Sequence, residues 1–304
     1  MKMQRSNEWL KTSQNEPRGY IQPQSLEELW FHAGTNCNLR CPFCLEGSKP
    51  GDNRLEFLTL DDAQRFINEA LEFGVKKFSF TGGEPFVNPE FIPILEAALE
   101  HRPCLVLTNA TEPLMNQMGD ILPLQNKPNL LSFRVSLDHP DPVKHDESRG
   151  RGNFRKALDT LGRLHREGFG VSIARLMLPG EDSAAVDKAY APYFEKAGVP
   201  ADLTIIKFPE FHLPGSLPQV AEITEDCMTR YLSAEKRAAF MCNFSKMVVR
   251  KNGQCGVYAC TLVDDVENYD LGKTLREAME QRVLLGHHRC YSCFAGGASC
   301  SEGV

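Results

Sequence analysis

The chain has 304 residues, 42% of them hydrophobic, and a formal net charge of −6, enough material for one full-sized core or two smaller ones. Its opening stretch lacks the apolar run of a signal peptide, and no later segment has the apolar length of a membrane helix, so a membrane protein is excluded and a cytoplasmic one expected. No dense Lys/Arg stripe is present, which excludes nucleic acid as a partner.

Residues 1–27 read as an N-terminal extension. From there, short apolar strand candidates alternate with helical patterns: 29–33, 77–80, 104–108, 130–137, 171–178 and 202–208. Between the first two, Thr59 with Asp62 resembles a capping box. Ala63, Phe66, Ile67, Ala70 and Leu71 then trace one apolar face, and Gly74 supplies the stop. The next helix opens near Pro89, and another carries Phe154, Ala157, Leu158, Leu161 and Leu164 before Gly168. Alternating βα units with right-handed crossovers give a parallel α/β sheet, doubly wound or curled into a barrel. Residues 208–220 hold three prolines and a glycine and read as a linker. Beyond it, two short strands flank Asn252-Gly253, a strong hairpin signal, and the stretch TLREAMEQRVLL reads as helical. The expected organisation is a core over 28–220 and a smaller second domain over 221–304.

Eleven cysteines are unusual in a chain without an export signal, because disulfides are uncommon in the cytosol. Three fall within 37–44 and six within 242–300, leaving Cys104 and Cys227 isolated; such clustering points to metal. The first set, Cys37-x3-Cys41-x2-Cys44, directly follows the first strand, where parallel α/β folds build their sites. Three thiolates can hold three irons of a cubane cluster and leave the fourth open to a small ligand. Zinc is the alternative, since Cys-x2-Cys also suits a structural zinc site. The second motif, Thr81-Gly82-Gly83-Glu84-Pro85, follows the second strand at the same sheet edge. Its glycines permit close backbone approach, and Glu84 can accept hydrogen bonds from an ammonium group.

Together the two motifs resemble those of the radical S-adenosylmethionine superfamily, over nearly the whole chain from about residue 27 to 300. The resemblance implies a partial (β/α)6 TIM barrel. It further implies that Cys37, Cys41 and Cys44 bind a four-iron cluster, that Gly82, Gly83, Glu84 and Pro85 position the methionine amine of S-adenosylmethionine, and that Phe43 shelters its adenine. Val135-Ser136-Leu137-Asp138, with His145, Asp146 and Arg149, resembles the family's fourth-strand segment, whose serine and arginine contact the cofactor. Asn109 is carried over in the same way, although Ala110 stands where the family usually has glycine.

The C-terminal set is Cys242-x17-Cys260 spanning the hairpin, then Cys290-x2-Cys293. Four thiolates can saturate a second cluster or form a zinc ribbon. The set resembles the Twitch domain, a short relative of the SPASM domain, which implies an auxiliary four-iron cluster. Cys300 and Cys255 are left as candidate hydrogen donors to a substrate radical. His287 and His288 read as a solvated helix end, and His212 and Glu210 as residues that could face the substrate. The leading expectation is an oxidoreductase or epimerase acting on a small polar metabolite of the sugar or cyclitol kind, fed electrons by a reductase such as flavodoxin or ferredoxin. A maturase for a ribosomal peptide comes second; the roughly 28 residues before the first strand are few for a leader-binding module. A non-catalytic iron–sulfur or zinc protein comes third, because a carrier has no need of the Gly82–Pro85 motif.

Overall fold

The computed structural model describes residues 9–296 apart from positions 179, 209, 210, 214 and 265. Strands β1 (Tyr20–Ile21) and β2 (Glu28–His32) come first, followed by β3 (Lys77–Thr81), β4 (Cys104–Thr108), β5 (Leu131–Ser136), β6 (Gly170–Leu176) and β7 (Ile205–Phe208). From β2 to β7 each strand pairs in parallel with the next. This is the expected run of βα units, an open sheet of the partial-barrel kind that does not close on itself among the described residues. No helix among the described residues is long and apolar enough to cross a membrane.

Strand alternation decides which side chains reach the site. In β2, Leu29 and Phe31 face the helices; Phe31 stacks on Phe80 at 5.4 Å between ring centroids, and Phe80 meets Phe91 edge-on at 5.6 Å. The intervening residues Glu28, Trp30 and His32 then point to the concave side. There Glu28 accepts a hydrogen bond from Ser79 Oγ of β3. The helix Leu60–Glu72 begins at Thr59, whose side chain accepts from the backbone N–H of Asp62, and it buries Ala63, Phe66, Ile67 and Ala70. The helix Asn153–Arg166 buries Phe154, Ala157, Leu158, Leu161 and Leu164 in the same way. These stripes match the apolar periodicity read from the sequence.

The hairpin of β8 (Ser245–Lys251) and β9 (Gln254–Tyr258) does not stand apart from the core. β8 pairs in parallel with β2, so the sheet has eight strands in the order β7-β6-β5-β4-β3-β2-β8-β9. The boundary expected near residue 220 thus falls between two parts of one sheet. The N-terminal segment is also built in: β1 pairs antiparallel with β10 (Val283–Leu284), and Trp9 meets Tyr269 edge-on at 5.5 Å. β10 lies inside the stretch expected to be helical. The helix there covers only Leu275–Met279, because Val283 and Leu284 gain hydrogen bonds and burial by pairing with β1.

Candidate functional site

The turns leaving β2, β3, β4 and β5 meet at one cleft at the C-terminal edge of the parallel strands. Cys37, Cys41, Phe43 and Cys44 line it, with Gly82 and Gly83 after β3, Asn109 after β4, Ser136 at the end of β5, and Arg149. Cys37 is buried, whereas Cys41 and Cys44 are half-buried. Burial pushes the Cys37 thiol up to about 12 and raises that of Cys41. Both therefore carry their protons at neutral pH until a metal displaces them.

The two glycines answer first to the cysteine loop itself. Gly83 N–H donates to Gly34 O at 2.9 Å and Glu84 N–H to Asn36 O at 3.1 Å. A Cβ on Gly83 would lie 2.4 Å from Asn36 O, and Gly82 has a φ of +147° with the Gly34 carbonyl 2.7 Å from where its Cβ would be. Gly83→Ala is expected to push the cysteine loop away, costing about 1–3 kcal/mol and lowering iron uptake. Denaturant unfolding and iron content would check this against Gly119→Ala, whose added Cβ meets nothing within 4 Å and which should be close to neutral.

Glu84 takes a different place from the one expected. It is 2% exposed and its carboxylate accepts from Asn109 N–H at 2.8 Å, Thr108 Oγ1 at 2.9 Å and Phe86 N–H at 3.3 Å. Its acceptor capacity is spent tying the β3 turn to the end of β4, and neither it nor the buried Pro85 is among the cleft-lining residues. Burial raises the Glu84 carboxyl from its usual 4.5 to about 7, even against those three donors. The folded state thus holds a proton that the unfolded state releases. This contribution is fully present below about pH 4.5 and is lost as pH rises through about 7. Glu84→Gln should flatten that decline, on the order of 3 kcal/mol, in urea unfolding of the apo-protein at pH 5 and 8.

Asn109 stands beside the first cysteine: its Nδ2 lies 3.9 Å from Cys37 Sγ and donates to Asn38 Oδ1 at 2.9 Å. Ala110, at the position where glycine was expected, adopts φ +55°, a left-handed conformation costly for a residue with a Cβ. Arg149 pairs with Asp138 and lies 5.6 Å from the Phe43 ring centroid. Burial alone would weaken its charge, but Asp138 and Cys41 more than offset that. His145 is buried and pushed down to about 4 by that burial and by Arg149, so it is neutral; its Nδ1 accepts from Asp138 N–H at 3.3 Å.

Trp30, Glu46 and Ser48 also line the cleft and were not singled out in the sequence. Trp30 Nε1 and Ser48 Oγ are buried with no hydrogen-bond partner among the described residues. Only the strand alternation that places Trp30 inward with His32 signalled the first, and nothing local signalled the second. Glu46 is held by His32 Nε2 at 3.3 Å, while His32 Nδ1 accepts from Gly34 N–H at 3.2 Å.

A second cavity gathers the C-terminal cysteines. Cys242 from the short helix Met241–Phe244, Cys260 just beyond β9, and Cys290 and Cys293 from the helix His288–Gly296 all line it. The rest of the wall is mostly apolar, and burial raises the thiols of Cys242, Cys260 and Cys290. Among the described residues, no three His, Cys, Asp or Glu side chains, here or in the cleft, are grouped as ligands of one metal ion; a four-iron cluster asks instead for one thiolate on each of its irons, a donor set this cavity has. Tyr269 braces the helix start: its hydroxyl lies 3.5 Å from Cys290 Sγ and accepts from His287 N–H at 2.8 Å. Thr261 and Leu262 line both this cavity and the cleft.

Residues 32–191 match the family model of the Radical SAM superfamily, more than half of the chain. The chain belongs to the radical SAM superfamily. Among its relatives, GTP 3′,8-cyclase of Actinobacillus succinogenes is 29% identical over 136 residues, covering 44% of this chain and 39% of that protein. The corresponding figures for GTP 3′,8-cyclase of Microcystis aeruginosa are 30% over 173 residues, 53% and 50%. The chain thus spans half or less of the length of these relatives. Among solved structures, Streptococcus suis SuiB bound to precursor peptide SuiA superposes with a TM-score of 0.63 at 13% identity, over 84% of this chain and 65% of that one. anSMEcpe with bound AdoMet gives 0.60 at 17% identity, over 85% and 81%. These likenesses show the fold.

Radical SAM enzymes use S-adenosylmethionine and a four-iron cluster, and the cleft suits both by its donors: three thiols on one loop, a glycine cradle beside them, and Ser136 and Arg149 in the same lining. Other candidates lie elsewhere. Cys255, on β9, is buried in the core and interacts with Asp62 and Arg250, outside the cleft lining. Cys300 and Glu210 lie outside the described residues. His287 and His288 are buried, not solvated, because the helix they open packs into the second cavity wall. His212 lends its carbonyl to Arg289.

Proposed function

We propose that this radical SAM enzyme abstracts a hydrogen atom from a small polar, hydroxyl-bearing metabolite held in the cleft and oxidises it with the help of a second four-iron cluster. In this reading Cys37, Cys41 and Cys44 hold the first cluster, which with S-adenosylmethionine supplies a 5′-deoxyadenosyl radical. Gly82 and Gly83 form the floor on which the methionine portion rests. Ser136 and Arg149 contact the cofactor from the end of β5 and the helix that follows it, with Phe43 beside the adenine. Asn109 keeps the Cys37 thiolate oriented. Cys242, Cys260, Cys290 and Cys293 hold the second cluster.

The observation that carries the reading is the shared wall: Thr261 and Leu262 border both the cleft and the four-cysteine cavity. An electron acceptor in that cavity would stand next to the substrate. Once the hydrogen atom on a hydroxyl-bearing carbon is removed, loss of the hydroxyl proton to solvent and of one electron to the acceptor leaves a carbonyl. The electron then passes to a one-electron carrier of the flavodoxin or ferredoxin class, which also supplies the first electron. Cys255 lies away from the cleft, which favours oxidation over an epimerisation that would use it as hydrogen donor.

The cleft chemistry also bears on the substrate class. Arg149 is neutralised by Asp138, and Arg175 by Glu181 at 2.6 Å and Asp187 at 2.8 Å, so these arginines offer no surplus charge to a triphosphate. Trp30 and Ser48, which also line the cleft, bring no charge to it, as suits a neutral polyol. The test is stimulation of 5′-deoxyadenosine formation by a low-mass cell extract under dithionite. Stimulation that survives protease and phosphatase treatment is expected; loss on phosphatase treatment would point to a nucleotide of the kind GTP 3′,8-cyclase is named for, and loss on protease treatment to a peptide.

A further inference from the structure

Two cations are buried around the four-cysteine cavity without a carboxylate to balance them. Lys246 on β8 is 0% exposed, and its Nζ donates to Cys242 O and Ser245 O, both at 2.8 Å. Arg289 lines the cavity at 1% exposure. Its Nη1 donates to Leu262 O at 3.0 Å, its Nη2 to Leu45 O at 2.8 Å and His212 O at 3.1 Å, and its Nε to His212 O at 3.3 Å. Every one of these bonds ends on a carbonyl, and neither side chain is ion-paired among the described residues. Carbonyl dipoles satisfy donors, but they do not cancel charge. A buried cation without an anion nearby is among the costlier arrangements a fold can contain, and here one lines the cavity while the other is bonded to the carbonyl of Cys242 in its wall.

The cavity's proposed occupant removes the difficulty. A four-iron core in its oxidised state carries two positive charges and four thiolates carry four negative ones, so the assembly is a dianion that becomes a trianion on one-electron reduction. Cluster potential is set in part by net charge and local electrostatics, and a fixed cation in a low-dielectric site favours the more negative state. We infer that Lys246, with Arg289, supplies the counter-charge for the cluster in the four-cysteine cavity, and that Lys246 holds that cluster's potential up so that it accepts an electron. The inference rests on the reading of the cavity as a cluster site. Arg289 has a second duty. Through Leu45 and Leu262 it fastens the first cysteine loop to the wall shared by the two cavities. Lys246 bonds to Cys242 O and Ser245 O instead, and an arginine in its place, which keeps the charge, separates the charge effect from the loss of those bonds.

The experiment uses the full chain carrying Cys37→Ala, Cys41→Ala and Cys44→Ala, reconstituted anaerobically with iron and sulfide so that only the second cavity is loaded. About four irons per chain are expected; none would remove the cluster reading and the counter-charge with it. Adding Lys246→Met should keep the iron and lower the midpoint potential, followed by electron paramagnetic resonance in a dye-mediated titration. The expected shift is at least tenfold in the electron-transfer equilibrium, about 59 mV for a one-electron couple. Lys246→Arg should restore the potential. A Lys246→Met chain with full iron and an unchanged potential would overturn the counter-charge while leaving the cluster reading intact. Should Lys246→Met fail to fold, Lys246→Gln is titrated in its place under the same criterion. Loss of iron from both neutral variants but not from Lys246→Arg, with unchanged circular dichroism, supports the proposal; loss from the arginine variant too would mark a purely steric role and overturn it.

Discussion

Replacing Cys260 or Cys293 with alanine should abolish substrate turnover while 5′-deoxyadenosine still forms. The four cysteines of the second cavity come from four places: the helix Met241–Phe244, the end of β9, and two successive turns of the helix His288–Gly296. Removing one thiol opens a corner of that cage without touching the loop after β2. Iron should fall by about half, and cleavage of S-adenosylmethionine should continue at the first site. Iron content and deoxyadenosine are to be measured on the same sample, because a cluster that pins a small lobe also stabilises it. Cys255→Ala is the control: packed in the core outside the cleft, it should leave both iron and product in place. If Cys260→Ala kept all its iron, the ligand set assigned to the second cavity would be wrong.

Alanine at Cys37, Cys41 and Cys44 together should remove the other half of the iron and reduce deoxyadenosine formation to background. The first cysteine has the clearest physical signature. Burial lifts its thiol to about 12, so the apo-protein holds a neutral thiol that must lose its proton when metal binds. Reconstitution of the wild type should therefore speed up as pH rises from 6 to 9, with a proton released per thiol ligated, followed by cluster absorbance and a pH indicator. A flat profile would mean that the thiols are already ionised before metal arrives.

Much of this architecture was legible in the sequence because the signals were local. β4 spans Cys104–Thr108 as read, and Thr59 caps its helix through Asp62 as the capping pattern required. Apolar periodicity and cap chemistry act within a few residues, and the cysteine and glycine motifs sit at strand ends where a parallel sheet gathers them. What escaped was set at a distance. Nothing near Ser245 announces that β8 will add to β2, and nothing near Val283 announces a partner at Tyr20. The duty of Glu84 depends on an amide and a hydroxyl some 25 residues further along. Cys255 looked like a candidate donor because cysteines were clustered in sequence, but strand alternation in β9 turns it into the core.

The continuity of the sheet from β2 into β8 bears on how the two cavities relate in time as well as in space. Lobes joined by a flexible tether drift, and transfer between them waits on encounters. Here the strand that leads into the first cysteine loop and the strand that follows Cys242 are neighbours in a hydrogen-bonded ladder, and Arg289 spans the gap at the other end. The interval between the two chambers is therefore set like the spacing of two frets on one neck. A substrate can then be admitted and released without any parting of lobes.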